Sequence, residues 1–103
     1  MKKVINKKVY NTETAEELFS YMYGSINDFN YWSIELYKTK KGIYFSHAKG
    51  GPLSKYAIDC GNNERSGGEE WLVLREEEAF NLMSTYSTAE KIENYFPTYL
   101  EEA

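Results

Sequence analysis

One cysteine, one histidine and two prolines are all that this 103-residue sequence holds of those types. Cys60 has no second cysteine to pair with, which excludes an internal disulfide and agrees with a reducing compartment. A structural zinc site takes about four Cys or His ligands, more than one Cys and one His supply. No apolar run approaches the roughly 20 residues of a membrane helix, and Met1-Lys2-Lys3-Val4-Ile5-Asn6 lacks the apolar core of a secretion signal. The expectation is a cytoplasmic protein with no cofactor and no membrane partner.

Aromatic residues are abundant, at 17%, with ten Tyr, five Phe and two Trp. Each large ring can bury roughly 150–250 Å², enough to fill a small core or its rim. With 42% hydrophobic and 27% charged residues, the composition is that of a globular chain, and the length suits a single domain over 1–103. The net charge of −4 hides a division. Residues 1–63 carry nine Lys against six acids, or +3, and residues 64–103 carry ten Glu against two Arg and one Lys, or −7. If the fold keeps those segments apart, the molecule is electrostatically two-sided.

Lys3 to Tyr10 reads as a β-ribbon turning at Asn6-Lys7-Lys8, with lysines that protect an exposed edge. Thr14-Ala15-Glu16-Glu17 matches a capping box. Ala15, Leu18, Phe19 and Met22 follow at helical spacing, which predicts a helix ending near Gly24. Tyr31 to Thr39 alternates, with Trp32, Ile34 and Leu36 on one face, and Ile43 to Ala48 returns after the Lys40-Lys41-Gly42 turn. Lys49 to Gly68 holds five of the seven glycines and reads mostly as loop, with a helical turn at Leu53 to Ala57. A strand at Glu70 to Leu74 is expected next. A helix over Glu76 to Tyr86 follows, then a second opened by a capping box at Ser87-Thr88-Ala89-Glu90 and stopped by Pro97. The predicted fold is α+β: a small, mainly antiparallel sheet of four to five strands in hairpins, covered on one face by two to three helices.

Candidate chemistry is sparse. A thiolate activated by an imidazole would need Cys60 beside His47, but His47 shares the parity of Ile43 and Phe45 and fits a hydrogen-bonded residue at the core edge. Gly50-Gly51-Pro52-Leu53-Ser54-Lys55-Tyr56 offers amides, a cation and hydroxyls that could cradle an anion. It lacks P-loop spacing, and a turn into a short helix, capped near Ser54 and packed through Tyr56 and Ala57, explains it better. Lys55 and Tyr56 stand as candidate contacts. Glu69, Glu70, Glu76, Glu77 and Glu78 form an acidic stretch able to imitate nucleic-acid phosphates toward a basic partner; consecutive acids do not make a metal or acid–base site. Lysines 2, 3, 7, 8, 38, 40, 41 and 49, with Tyr31, Tyr37 and Tyr44, suggest the alternative of a small nucleic-acid-binding accessory or regulatory module.

Four segments carry a resemblance across nearly the whole chain: Val9-Tyr10-Asn11-Thr12-Glu13-Thr14-Ala15, Glu35 to Gly42, Gly50 to Ala57, and Gly67-Gly68-Glu69 leading to Glu77-Glu78-Ala79. Together they resemble a group of short proteins carried by phages and mobile genetic elements of Gram-positive bacteria, and similar small phage proteins include anti-CRISPR inhibitors. The resemblance implies a protein that blocks a host Cas protein or Cas complex by direct binding, and the missing catalytic set adds the expectation that it is not an enzyme. It transfers no catalytic residue. Arg75 stands where a polar cap would be expected before the Glu-rich helix.

Overall fold

The computed structural model describes the backbone of residues 1–61 and 64–103 and the side chains of 1–58 and 65–103. Asn6 and Lys7 take φ of 51° and 67°, the left-handed pair that a two-residue hairpin turn requires. They join β1 (Lys2–Ile5) to β2 (Lys8–Asn11) in a small antiparallel ribbon. The main sheet is antiparallel with strand order β3-β4-β5-β8, built from β3 (Glu16–Tyr23), β4 (Trp32–Lys38), β5 (Tyr44–Gly50) and β8 (Gly68–Leu74). Between β5 and β8 lies a second ribbon, β6 (Ile58–Gly61) with β7 (Glu64–Ser66). Two helices, α1 (Glu76–Tyr86) and α2 (Ala89–Tyr95), and a 3-10 turn at Pro97–Tyr99 follow. The fold is therefore α+β, as the sequence pattern predicts.

The first predicted helix is a strand. Thr14 does not cap a helix; Asn11 Oδ1 accepts from Glu13 N–H at 2.9 Å in a local turn, and Ala15 N–H donates to Asn11 O at 3.1 Å. The chain then extends, and Phe19, Tyr21 and Tyr23 pair across from Leu36, Ile34 and Trp32. A bulge between Glu17 and Phe19 leaves Leu18 as the extra residue, so that Leu18 and Phe19 are both buried. A bulge of this kind breaks clean alternation, and two adjacent buried residues followed by Met22 look helical.

Two further expectations need correction. The stretch from Lys49 to Gly68 is not mostly loop, since β5 runs on to Gly50 and β6 and β7 form a ribbon. Residues 52–57 are consecutive turns, with Ser54 N–H on Gly51 O and Ala57 N–H on Ser54 O, both at 3.1 Å. The cap of α2 falls one residue later than expected: Thr88 Oγ1 accepts from Lys91 N–H at 3.4 Å, while Ser87 closes α1 by donating its N–H to Met83 O at 2.8 Å. Arg75 opens α1 by a different device. Its own N–H and its Nε both donate to Glu78 Oε1, at 2.9 and 3.1 Å.

Alternation gives the sheet two unlike faces. One carries Phe19, Ile34, Leu36, Tyr44 and Ala48 and is covered by α1 and α2 through Ala79, Met83 and Phe96, forming the larger core. The other is covered at one end by the β1–β2 ribbon, whose Tyr10 meets Phe45 edge-on at 5.3 Å while Phe45 stacks on Tyr37 at 5.1 Å. The charge division along the sequence is not a spatial one, because β8 from the acidic segment pairs along β5 and sets Glu69 opposite Lys49.

Candidate functional site

Two loops at the end of the sheet remote from the β1–β2 ribbon present the most exposed apolar side chains of the described residues beyond the ribbons and termini: Ile26 (69%), Phe29 (69%) and Leu53 (62%). They are held against each other by backbone bonds, Gly51 N–H to Tyr31 O at 2.9 Å and Leu53 N–H to Phe29 O at 2.8 Å. Gly51 makes that approach possible, since a Cβ there would lie 2.6 Å from the Phe29 carbonyl oxygen. This accounts for the Gly50-Gly51-Pro52-Leu53 run. The amides of Gly51, Leu53, Ser54, Tyr56 and Ala57 are all engaged within the loops, so they do not form the anion cradle that the sequence allowed.

Lys55 leaves the same loop and lies over an aromatic platform. Its Nζ is 3.9 Å from the Trp32 ring centroid, 5.4 Å from that of Tyr56 and 5.8 Å from that of Tyr86, and it donates to the Tyr86 hydroxyl at 3.4 Å. A cation so placed is attracted by the negative ring faces. Tyr23 also stacks on Trp32, centroid to centroid at 5.9 Å. From here a groove of about 440 Å³ lies between the sheet and α1, lined by Lys55, Tyr56, Glu70, Leu72, Glu78 and Leu82 among others. Burial raises the Tyr56 hydroxyl pKa, and nearby Lys55 opposes the rise.

Four of the sequence candidates, Lys55, Tyr56, Glu70 and Glu78, thus line one groove. The other three lie elsewhere. Glu69 and Glu70 are neighbours on a strand and point to opposite faces, which sends Glu69 to His47. Glu76 and Glu77 open α1 on the side of Tyr99, whose hydroxyl pKa is raised first by burial and then by Glu76. The five glutamates do not form one continuous stripe. Sequence reasoning missed Trp32 and Tyr86 as partners of Lys55, and Ile26, Phe29 and Leu53 as a patch. The signal for the patch was the isolated apolar pair within Ser25-Ile26-Asn27-Asp28-Phe29-Asn30, a run otherwise polar and turn-forming.

His47 is 2% exposed and sits between two carboxylates, with Nδ1 3.4 Å from Glu35 Oε1 and Nε2 2.8 Å from Glu69 Oε2. The Trp71 ring lies 4.3 Å away, centroid to centroid. Held this way, His47 is an internal hydrogen-bonding post for β4, β5 and β8. The side chain of Cys60, the other half of the nucleophile pair considered above, lies outside the described residues. Among the described residues no group of three His, Cys, Asp or Glu gathers as a metal would require, and no helix is long and apolar enough to cross a membrane.

The His47–Glu69 contact has a pH signature. Its hydrogen bond is the main reason that the Glu69 carboxyl lies below its ordinary pKa, against a smaller opposing effect of burial. A carboxylate depressed in the folded state adds stability above its unfolded pKa and loses it as pH falls through the folded value. Urea denaturation of the wild type and Glu69→Gln is expected to show the wild type ahead at pH 7 and the gap narrower at about pH 3, below the ordinary carboxylate range. An equal gap at both values would remove Glu69 from the acid response.

The fold and this surface define an α+β protein with one helix-covered sheet face, a mixed-charge groove beside that cover and a pinned apolar loop patch. No protein-family model, curated protein or solved structure matches the chain.

Proposed function

We propose that this protein is a non-enzymatic inhibitor that works by direct contact, an anti-CRISPR protein of phage or mobile-element origin that binds a host Cas protein or Cas complex inside the bacterial cell. The observation that supports a binding role is the patch of Ile26, Phe29 and Leu53, three large side chains exposed on loops that are hydrogen-bonded together. Exposed apolar clusters mark interaction sites, and a patch already ordered before association loses less conformational entropy on binding. Glu70 and Glu78 in the adjoining groove, within a chain of net charge −4, suit a partner whose nucleic-acid channel is positively charged. The choice of a Cas effector rests on the resemblance of the four segments.

The deep burial of His47 between two carboxylates favours binding over chemistry. A single-stranded nucleic-acid surface that stacks bases on Tyr37 and Tyr44 is disfavoured, since those rings are 6% and 7% exposed. The test is to incubate the purified protein with Cas effector–guide complexes from candidate hosts, then follow co-elution and target cleavage. Co-elution with suppressed cleavage at micromolar protein is the expected result. Unaffected cleavage and no co-elution across the effector types of those hosts would sink the proposal.

A further inference from the structure

At the opposite end of the sheet, the turn of the β1–β2 ribbon and the turn between β4 and β5 enclose a groove of about 480 Å³, within the range of small-ligand sites. Lys7 and Lys8 line it from one turn and Lys40 and Lys41 from the other, and no Asp or Glu among the described residues lines it. None of these four lysines takes part in the ion pairs found among the described residues. Four cations brought to one groove with no described acid lining it repel one another, and an anion there would relieve that repulsion.

The arrangement is built, not incidental to loose ends. Tyr10, Ile5, Ala15 and Ile43 pack with Phe45 and Tyr37 in the smaller core, so the strands that carry both turns share one foundation. Lys7 occupies the second central position of its turn at φ 67°, a place that glycine ordinarily fills because a side chain is strained there. Thr39, also lining the groove, accepts Ile43 N–H at its Oγ1, at 3.0 Å. Among the described residues its hydroxyl proton has no acceptor and is free to donate.

We infer that this groove binds a short run of adjacent phosphates, such as the di- or triphosphate group of a nucleotide. Phosphate is the anion class that several lysines recognise as point charges. A compact ligand fits better than a long polyanion, because the rest of a chain with net charge −4 repels an extended one. The groove offers no exposed ring for base stacking, since Tyr10 is 4% exposed, so recognition here is by charge.

The probe is inorganic tripolyphosphate, titrated into the isotopically labelled full chain at low salt and followed by amide chemical shifts. Shifts confined to Lys7, Lys8 and residues 39–43 are expected, with affinity falling tenfold or more between about 50 and 200 mM salt. The Lys7→Gln/Lys40→Gln variant should weaken binding at least about tenfold, and Lys91→Gln, on exposed α2, should leave it unchanged. Competition then separates the sources of the phosphates. Displacement by ATP points to a free nucleotide, and preference for a 5′-phosphorylated oligonucleotide over its 5′-hydroxyl twin points to a nucleic-acid end. Absence of shifts in the groove, or equal affinities for the groove variant and Lys91→Gln, overturns the inference.

Discussion

Phe96→Ala is expected to destabilise the protein by about 3–5 kcal/mol, the range for truncating a buried phenylalanine. Phe96 is 2% exposed and sits where α2 ends. Its ring meets Tyr44 of the sheet at 5.6 Å, Phe80 of α1 at 5.8 Å and Tyr99 of the 3-10 turn at 5.8 Å. One side chain therefore joins three separate elements, and the cavity left by its loss cannot be closed by moving any one of them. Since a domain of this size is stable by only about 5–15 kcal/mol, the variant should melt at a much lower urea concentration and lose the near-ultraviolet signal of its packed rings. Phe96→Leu keeps most of the volume and should cost less. A loss below about 1 kcal/mol for Phe96→Ala would show that the C-terminal helices are not held on the sheet through this ring.

What could be read in advance depended on whether local pattern and long-range pairing agreed. In the β4–β5 hairpin they did: strict alternation, a glycine at the one turn position with positive φ, and apolar residues of matching parity all point to the same register. In α1 the inward Ala79 and Met83 and the acidic first turn likewise agree. In β3 they diverged. Thr14 to Glu17 satisfies a local helix signal, and the bulge at Leu18 disguises the alternation. The deciding energy comes instead from Phe19, Tyr21 and Tyr23 packing beside Leu36, Ile34 and Trp32, residues nine to seventeen positions away. A preference for strands among aromatic side chains was the one local sign against a helix.

The candidate surface was legible to the same degree and for the same reason. Lys55 and Tyr56 stand out as a cation beside a ring, but the platform that holds the cation is Trp32 from β4 and Tyr86 from α1, and only tertiary packing brings these together. The acidic stretch reads as one feature along the chain, yet period two in β8 separates Glu69 from Glu70. Glu78 is drawn to Arg75, so part of its charge is already answered within the protein.

Substituting both Phe29→Asp and Leu53→Asp is expected to abolish the proposed inhibition of a Cas effector while leaving the fold intact. Both side chains are mostly exposed, and surface substitutions away from buried contacts change stability by within about 0.5 kcal/mol. At an interface, by contrast, a central apolar anchor carries about 2 kcal/mol or more, which is roughly thirtyfold in affinity at 1.4 kcal/mol per tenfold. The two positions are joined by the Leu53 N–H to Phe29 O bond and will not act independently, so the double variant should lose on the order of a hundredfold or more rather than the product of two full effects. Titrating wild type, each single variant and the double variant against a fixed amount of the inhibited effector measures this directly. Glu70→Lys separates the patch from the groove, since it reverses a charge without touching an apolar contact. If acidic complementarity guides the encounter, this change should slow association and reduce the salt dependence while the apolar anchors still hold the complex. A double aspartate variant that melts like the wild type and still inhibits fully would place the contact elsewhere on the molecule, and the loop patch would then lose its role in the proposed function.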